Sequence, residues 1–292
     1  MSRSLTLQQA ADTLGVHYMT AYRYVRTGRL PAAKVGVEWR VDLEDLAAVR
    51  PGPQADRSRH RPRRWAVDQL TTRLVVGDEP GVWALVEDSL ASGAEPADIH
   101  LQLLTPALRV IGSRWATGEL TVAEEHRASV VAQRVVGRLG PRFARRGRRR
   151  GTVVLGAPAG ELHALPGAMV ADQLRAARFE VVDLGSNTPA ESFAEAIRLA
   201  VRLLVVLIGA TMPGDQAVIQ VIGAVRATAP GLPVLVGGAA IPDEASAQEL
   251  GADGWSGLDA RQAVDAVDLV YNRRRAGAGS PPGAERAGRP SG

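Results

Sequence analysis

The feature that most constrains the fold is an alternation of short apolar runs with helical segments across the second half of the chain. Runs rich in Val, Leu and Ile read as strands at 152–155, 180–183, 203–208 and 233–236. Helical patterns separate them at 168–177, 190–200 and 215–229, and a short strand near 254–255 and helices at 245–250 and 261–271 complete the set. This order predicts a doubly wound, Rossmann-like parallel sheet with right-handed crossovers.

A histidine stands in the loop after the first of these strands. The loop reads Glu161-Leu-His163-Ala-Leu-Pro-Gly167, with further glycines at Gly156 and Gly160. Loops at the carboxyl ends of strands are where open α/β sheets bind ligands, and glycines let the backbone approach a bulky group. Imidazole is a common metal ligand, and a carboxylate on its second nitrogen would fix its tautomer. By itself a loop histidine is more often structural or solvated.

The downstream spacing adds a resemblance. Glu161-x-His163-x-x-Gly167 is followed by Gly209-Ala-Thr211 and then by Gly237-Gly238. This series resembles the cobalamin-binding domain of methionine synthase and the corrinoid mutases, which carries Asp-x-His-x-x-Gly, then Ser-x-Leu or Ser-x-Thr, then Gly-Gly. The resemblance implies that His163 is the lower ligand to cobalt. It also implies that Gly167, Gly237 and Gly238 make room for the nucleotide tail.

Two departures from that family affect the same loops. Glu161 stands where Asp is commoner, which gives a longer arm for the same carboxylate role. Gly209 stands where the family usually has Ser, so one hydroxyl contact to the tail is lost, and Thr211 offers a hydroxyl nearby. The loop after the second strand lies near the corrin in the family, which makes Asn187 and Thr188 candidate contacts. We expect these changes to tune cobalamin affinity without abolishing it.

Four helical segments precede the sheet, at 65–76, 81–91, 96–112 and 121–139, and predict an antiparallel four-helix bundle. Within this predicted bundle region, Trp115 is followed ten residues later by Glu125-His126. The spacing resembles the helical domain of CarH-type cobalamin-dependent photoreceptor repressors, in which the bundle covers the upper corrin face. The resemblance implies that Trp115 fills space above cobalt and that Glu125 and His126 contact the adenosyl group. The alternative is a buried helix end at Trp115 and a surface pair at Glu125 and His126.

One position in the bundle differs from the photoreceptor family. A histidine often follows that Trp there and binds cobalt from above after light has removed the upper ligand, whereas this chain has Ala116. A bis-histidine state from that position is therefore not available. His126, His100 or water is left to take the open position.

The first 50 residues resemble the winged helix-turn-helix of the MerR and excisionase families. The motifs are Ala-Asp-Thr-Leu-Gly-Val at 11–16, Thr-Ala-Tyr-Arg-Tyr at 20–24, Gly-Arg-Leu-Pro at 28–31 and Gly-Val-Glu-Trp-Arg-Val at 36–41. Thr6 is the expected N-cap of the first helix. The resemblance implies that Arg40 contacts a phosphate from the wing and that the second helix presents DNA-facing side chains, namely His17, Tyr18, Thr20, Tyr22 and Arg23. Tyr22, Val25 and Trp39 are equally compatible with a core, and a protein-binding winged helix is the alternative.

Composition and charge bound the remaining organisation. The chain has 292 residues, no cysteine, 46% hydrophobic residues and a formal net charge of +4. We expect a linker at 51–64, a bundle at 65–140, a cobalamin-binding domain at 151–272 and a disordered tail at 273–292. The arginine run at 142–150 suits either a soluble linker or a polyanion partner. No signal peptide or long apolar run is evident, so we expect a cytoplasmic protein that makes no contact with membranes.

Together these features predict a three-part transcription regulator rather than an enzyme. It would bind adenosylcobalamin, with methylcobalamin as an alternative, and a double-stranded DNA operator. One winged helix makes a small interface, so we expect a homo-oligomer, a dimer or a tetramer, that loosens and releases DNA when light cleaves the cobalt–carbon bond. The rival hypotheses are a light-independent cobalamin or redox sensor, which Ala116 favours, and a corrinoid methyl carrier, which the winged helix argues against.

Overall fold

The structure is a computed structural model that describes residues 4–13, 25, 30–35, 38–42, 45 and 64–278. The chain divides into two units, Met1–Arg61 and Pro62–Gly292. In the first, strands β1 (Ser4–Thr6), β2 (Ala33–Val35) and β3 (Glu38–Asp42) form an antiparallel sheet in the order β1-β3-β2, beside helix α1 (Leu7–Thr13). The β2–β3 pair is the predicted wing hairpin.

The packing of this small unit resolves part of what the sequence left open. Thr6 caps α1 as predicted, because its hydroxyl accepts from Gln9 N while the Gln9 side chain accepts from Thr6 N. Val25 and Trp39 pack against a buried cluster of Leu7, Ala10, Leu30 and Val41. These two side chains therefore contribute to the core, whereas Tyr22 lies outside the described residues.

The second unit begins with the predicted helical bundle. Its helices are α2 (Arg64–Val76), α3 (Glu79–Ala91), α4 (Thr105–Ala116) and α5 (Val122–Leu139). A helical turn at Pro96–Asp98 and a π-helical segment at Ile99–Leu104 precede α4, and the 3₁₀ turn Gly140–Phe143 follows α5. The helical period of residues 96–112 predicts one apolar face made of Ile99, Leu103, Leu104, Leu108 and Ile111. Four of these side chains are buried, and Leu108 is partly buried. None of the helices described is both long and apolar enough to cross a membrane.

The parallel sheet follows as the alternation of runs predicts. Its strands are β4 (Thr152–Gly156), β5 (Glu180–Asp183), β6 (Leu203–Gly209), β7 (Val234–Gly237) and β8 (Gly254–Trp255), ordered β5-β4-β6-β7-β8. All four pairings are parallel. The intervening helices are α6 (Ala164–Ala176), α7 (Ala190–Leu199), α8 (Asp215–Thr228), α9 (Glu244–Glu249) and α10 (Ala260–Ala278).

The helices cover both faces of the sheet and connect it to the bundle. Residues of α7 and α8 pack on one face, and residues of α6 and α10 pack on the other. Leu165 and Met169 of α6 also belong to the bundle core. The bundle therefore sits directly on the helix that follows the His163 loop.

Helix α10 extends further than the sequence indicated. We expected a disordered tail from residue 273, but the helix continues to Ala278. Arg274 donates to the carbonyl of Leu203, and the guanidinium of Arg275 lies 5.8 Å from the ring centroid of Tyr271. Arg and Ala are also good helix formers, so the composition did not oppose the extension. Residues 279–292 lie outside the described part.

Candidate functional site

The site lies where the strand order of the sheet reverses. β4 is flanked by β5 and β6, so the chain leaves β4 toward one edge and later returns on the other side of it. Ligands of open α/β sheets bind outside the carboxyl ends of strands at such a switch point. The His163 loop follows β4, and the loop after β6 begins at Gly209. Both predicted motifs therefore meet at this switch point.

A single buried carboxylate joins these loops. Glu161 Oε1 accepts hydrogen bonds from the backbone N–H of His163 at 2.9 Å and from its ring Nδ1 at 2.6 Å. Glu161 Oε2 accepts from the backbone N–H groups of Thr211 at 2.6 Å and Met212 at 2.8 Å. The side chain of Glu is longer than that of Asp, and it reaches two backbone amides of the β6 loop. Because these amides donate the hydrogen bonds, the contact needs no side-chain hydroxyl from that loop.

These contacts keep Glu161 ionised. Burial raises the pKa of its carboxyl, since the side chain is only 5% exposed, but the hydrogen bonds from His163, Met212 and Thr211 outweigh burial and hold the pKa below its usual value. An ionised carboxylate can only accept, so we assign the ring hydrogen of His163 to Nδ1. A neutral imidazole in this tautomer has its lone pair on Nε2, the nitrogen able to bind a metal.

His163 occupies the position just before α6. Its side chain is 48% exposed even though Nδ1 is held by Glu161. A Cβ atom added at Gly167, one turn into α6, or at Gly209, at the end of β6, would have no packing neighbour within 4 Å. With Ala157, Ala164 and Gly185 these glycines line a shallow cleft beside His163. The two glycine positions therefore leave open space on this side of the ring for a bulky group.

The predicted Gly237-Gly238 pair has a different immediate role. A Cβ on Gly237 would collide with Ser256 and Gly257, and one on Gly238 would collide with the backbone of Ala210. Gly238 also has a φ of +111°, in the region that favours glycine. The structure thus requires both glycines for its own close packing at the ends of β7 and β8, whether or not a ligand tail lies nearby.

Asn187 and Thr188 are used within the protein. Asn187, with a φ of +54°, accepts from Gly160 N through its side chain and donates its own N–H to Glu161 O. Thr188 is buried, and its hydroxyl donates to Leu184 O at 3.0 Å. These residues fasten the β5 loop to the β4 loop, which gives them a supporting role within the protein, and their contact with a cofactor stays a prediction.

Of the predicted bundle residues, Trp115 and His126 are exposed, whereas Glu125 is half-buried and pairs with His126. Trp115 is 46% exposed, and the Ala116 side chain that follows it is also exposed. His126 Nδ1 lies 2.9 Å from Glu125 Oε2, while Glu125 Oε1 accepts from the Ser129 hydroxyl. Trp115 is therefore not a buried helix end. No hydrogen bond or ion pair in residues 64–278 joins Trp115, Glu125 or His126 to the His163 loop.

His100 is excluded as an upper ligand in this arrangement. It is fully buried and stacks on Phe143 with ring centroids 4.7 Å apart. Its Nε2 lies 4.0 Å from Asp172 Oδ2, on the part of α6 more than two turns beyond His163. Burial lowers the pKa of His100 to about 4. Of the residues considered for the open position, His126 has the exposed side chain.

The DNA-facing residues predicted on the second helix, His17, Tyr18, Thr20, Tyr22 and Arg23, lie outside the described residues. Arg40 lies in β3, opposite Thr6 and Ala33. The arginine run at 142–150 is partly structural. Arg149 pairs with Glu180 at 3.3 Å, and Arg150 pairs with Asp268 at 2.7 Å.

Met212 is the site residue that the sequence did not indicate. Its contribution is a backbone N–H, and Thr211 likewise contributes its N–H to Glu161. Every residue except proline has such a donor, so no residue type marks its use. The exposed side chains of Met212 and Leu162 add apolar surface beside the cleft.

The residues present fit a corrinoid. One imidazole with a free Nε2 is a poor site for a bare ion, but it suits a metal that arrives with its own ring ligands. The open glycine positions at Gly167 and Gly209 and the apolar Leu162 and Met212 suit a large, flat macrocycle. The buried Glu161 supplies the outer partner that ligating histidines require.

Comparisons with known proteins agree with this division. A family model described as a B12 binding domain matches residues 66–139, a second one with the same description matches 151–267, and a helix-turn-helix domain matches 4–49. The fold and site thus define a helix-turn-helix domain joined to a cobalamin-binding module, and this combination supports a cobalamin-dependent transcription regulator.

Individual relatives fall into two groups. The HTH-type transcriptional repressor CarH of Myxococcus xanthus is 35% identical over 166 residues, covering 56% of this chain and 54% of that protein. A corrinoid protein of Desulfitobacterium hafniense is 27% identical over 211 residues, covering 70% of this chain and 95% of that protein. The chain spans 56% of the length of trimethylamine corrinoid protein 1 of Methanosarcina acetivorans, at 28% identity over 40% of this chain.

A solved structure shows the same fold. The monomethylamine corrinoid protein of Methanosarcina barkeri superposes with a TM-score of 0.63 and 20% identity, covering 71% of this chain and all of that chain. Together with the family matches, this confirms the fold predicted from the sequence, which consists of a helical bundle, a doubly wound parallel sheet and an N-terminal helix-turn-helix domain.

Proposed function

We propose that this protein is a light-responsive transcription repressor that binds adenosylcobalamin and releases its operator when illuminated. The observation that carries the proposal is the orientation of His163. Buried Glu161 holds its Nδ1 at 2.6 Å, which leaves Nε2 for the metal beside an open cleft. The similarity to a CarH repressor supports the regulatory role, and the spacing of Trp115 to Glu125 and His126, which resembles the photoreceptor family, is the basis for the light input.

Each part of the site has a defined task in this proposal. His163 would hold the cobalt of a corrinoid through Nε2, and Glu161 fixes the tautomer that leaves Nε2 free. Gly167 and Gly209 leave space for the macrocycle, and the exposed Trp115 closes over the upper face with Glu125 and His126 beside it. When bound, adenosylcobalamin supplies a cobalt–carbon bond that visible light breaks. The protein itself acts by binding and not as an enzyme.

Helix α6 gives the site a route to the bundle. It begins directly after His163, and its Leu165 and Met169 are buried in the bundle core. In this proposal, a change in how the bundle packs on α6 therefore alters the cofactor site. A change at the cofactor site likewise alters the packing of the bundle. For the ligand to control DNA binding it must favour the DNA-competent homo-oligomer over the other state, because equal affinity for both shifts nothing.

Dark and illuminated samples of the full chain test the proposal. We expect adenosylcobalamin to give a dark complex that elutes as a dimer or tetramer and retains a duplex selected from random-sequence DNA. Green light should lower both the oligomer size and the DNA affinity. His163→Ala should abolish retention of cobalamin, as read by absorbance. An unchanged elution position after illumination would refute the light switch.

A light-independent cobalamin sensor is the second candidate, and Ala116 is the observation that favours it. The residue after Trp115 has no side chain able to bind metal. Dark and illuminated protein with equal DNA affinity, together with a loss of affinity on removing cobalamin, would select this function. Methylcobalamin should then support DNA binding as well as adenosylcobalamin does.

A further inference from the structure

Exposed arginines collect at the edge of the parallel sheet that lies opposite His163. Helices run antiparallel to the strands in a doubly wound sheet, so the loops entering the strands share one edge. Arg150 N donates to Arg178 O, Thr152 N donates to Arg202 O, and Arg274 reaches Leu203 O. We call the exposed side chains gathered there the basic edge: Arg146, Arg148, Arg178, Arg198, Arg202 and Arg273.

Two members of the basic edge have a backbone conformation that suits glycine. Arg178 has a φ of +68° and Arg202 a φ of +57°. The corresponding turns before β7 and β8 use Gly231 at +80° and Gly251 at +88°. A side chain in this region costs free energy that glycine avoids. The turn geometry favours glycine and therefore does not account for arginine at either position. A function of the arginine side chain would account for it.

The local acidic groups do not neutralise this edge. Glu180 pairs with Arg149, Asp268 pairs with Arg150, and Asp253 pairs with Arg226 at 2.8 Å. In the described part of the chain, none of the six basic-edge arginines takes part in an ion pair. The edge therefore presents an uncompensated row of guanidinium groups, which suit phosphate oxygens because each can donate two parallel hydrogen bonds.

We propose that the basic edge binds the phosphate backbone of duplex DNA beside the segment held by the helix-turn-helix domain. The proposal rests on the DNA-binding role of that domain. Covalent attachment to a bound domain raises the local concentration of the edge at the same DNA, so a few phosphate contacts suffice. The cobalamin-binding module then contributes to DNA affinity directly as well as through oligomerisation.

Exposed Leu199 and Val201 lie between Arg198 and Arg202. An acidic protein surface would use such apolar side chains, whereas a phosphate backbone would not require them. Duplex DNA is favoured because the side chains of the edge that are left without an ion-pair partner are cationic and the chain already carries a DNA-binding domain. The two occupants make different predictions for DNA affinity.

The full chain with Arg178→Gly and Arg202→Gly provides the test. Glycine suits both φ values, so the variant should melt at the wild-type temperature or above it, which excludes unfolding as a cause of weaker binding. If each arginine makes one phosphate contact, the slope of log affinity against log salt should fall by about 1.8, and affinity should fall about 60-fold near 0.1 M salt. The loss should be equal for selected and random duplexes, because phosphate contacts carry no sequence information.

Arg109→Ala with Arg261→Ala is the matched control. Both side chains are exposed, the charge change is identical, and Arg261 lies in the first turn of α10 at the opposite edge of the sheet. This control should retain the wild-type slope. An equal loss in both double variants, or an unchanged slope in Arg178→Gly with Arg202→Gly, overturns the proposal, the latter in favour of a protein partner. Cobalamin retention and the light response test the proposed function separately, since neither variant touches the His163 loop.

Discussion

The Glu161→Gln substitution separates the two tasks of the buried carboxylate. Glutamine has the same size, but one of its two terminal atoms becomes a donor. The side chain can keep its oxygen on the N–H groups of Thr211 and Met212, which are 2.6 and 2.8 Å from Glu161 Oε2. Its NH₂ group then faces His163, where Nδ1 must accept. The ring hydrogen moves to Nε2, which removes the lone pair that would bind the metal in the proposed function.

The expected magnitudes follow from these contacts. The fold loses the hydrogen bond from His163 N and the charge assistance of the others, so the free energy of unfolding without cofactor should fall by about 2 kcal/mol. Outer partners of metal-ligating histidines typically account for about 10–100-fold in metal affinity, and we expect cobalamin binding to weaken by that factor. His163→Ala removes the ligand itself and sets the limit for comparison.

Glu161→Asp provides the matched variant with the opposite effect. Its carboxylate keeps the charge and the Nδ1–H tautomer of His163, but it is one methylene too short to hold both the ring and the amides of the β6 loop. We expect Glu161→Asp to keep the absorbance spectrum of histidine-ligated cobalamin while losing thermal stability. Urea denaturation without cofactor and spectral titration with cobalamin measure the two effects. A Glu161→Gln variant with wild-type affinity and an unchanged ligand spectrum would refute the reasoning.

Three further predictions address other parts of the molecule. Gly167→Ala should raise the stability of the cofactor-free protein by up to about 1 kcal/mol, since it adds a methyl group in open space within a helix, yet it should weaken cobalamin retention. Gly238→Ala should instead lower stability by about 3 kcal/mol, because it combines a collision with a φ of +111°; equal melting temperatures for the two variants would contradict this. The pKa of His100 is lowered by burial to about 4, so the unfolded chain binds more protons between that value and 6.5, and stability should fall by about 2 kcal/mol from pH 7 to pH 5. The raised pKa of Asp172 has the opposite effect on stability as the pH falls. His100→Phe should remove the loss of stability on acidification, as measured by urea titration, whereas His126→Gln should retain it.

The sequence predicted the sheet closely because each strand is a compact apolar run between turn signals. The four longer strands match their predicted positions within one residue at either end. Strand β1 was missed, since three residues are too few to show a period and its pairing with β3 depends on residues 34 positions or more away. The composition from residue 273 onward indicates a disordered tail, whereas the helix propensity of Arg and Ala and the contact between Arg274 and Leu203 extend α10 to Ala278.

The π-helical segment shows a second limit of sequence patterns. Ile99, Leu103, Leu104 and Ile111 do form the buried face, so the helical period was read correctly. Pro106 has no N–H to continue the ladder, and the preceding Thr105 donates both its N–H and its hydroxyl to His100 O. The turn thus holds one extra residue, and the His100 ring is buried in the core beside it, although the sequence left His100 as a candidate for the open position at cobalt.

The sequence predicts the side chains that form the site, but it does not predict the backbone hydrogen bonds that connect them. Glu161 and His163 carry their chemistry in their side chains, so residue type and spacing were sufficient to place them together. The amides of Thr211 and Met212 carry no such mark, and the support given by Asn187 depends on a left-handed backbone at that residue. Spacing also could not distinguish the space that Gly209 leaves open from the contacts that Gly237 makes within the protein.

In the proposed function, the position of α6 determines how a change at a cobalt bound to His163 would reach the bundle. The helix is fixed at its start by the ligand loop, and its buried side chains Leu165 and Met169 belong to the bundle core. Rigid helices transmit displacement along their length, so a change of upper ligand need not travel through the sheet at all. Farther along, His100 and Asp172 meet across the same interface without a hydrogen bond, 4.0 Å apart, and both His100 nitrogens lack partners. A buried contact of this kind stabilises the seated bundle only weakly, because the desolvated ring is not compensated. The interface between the bundle and α6 therefore combines the apolar packing of Leu165 and Met169 with one buried polar contact that is left uncompensated.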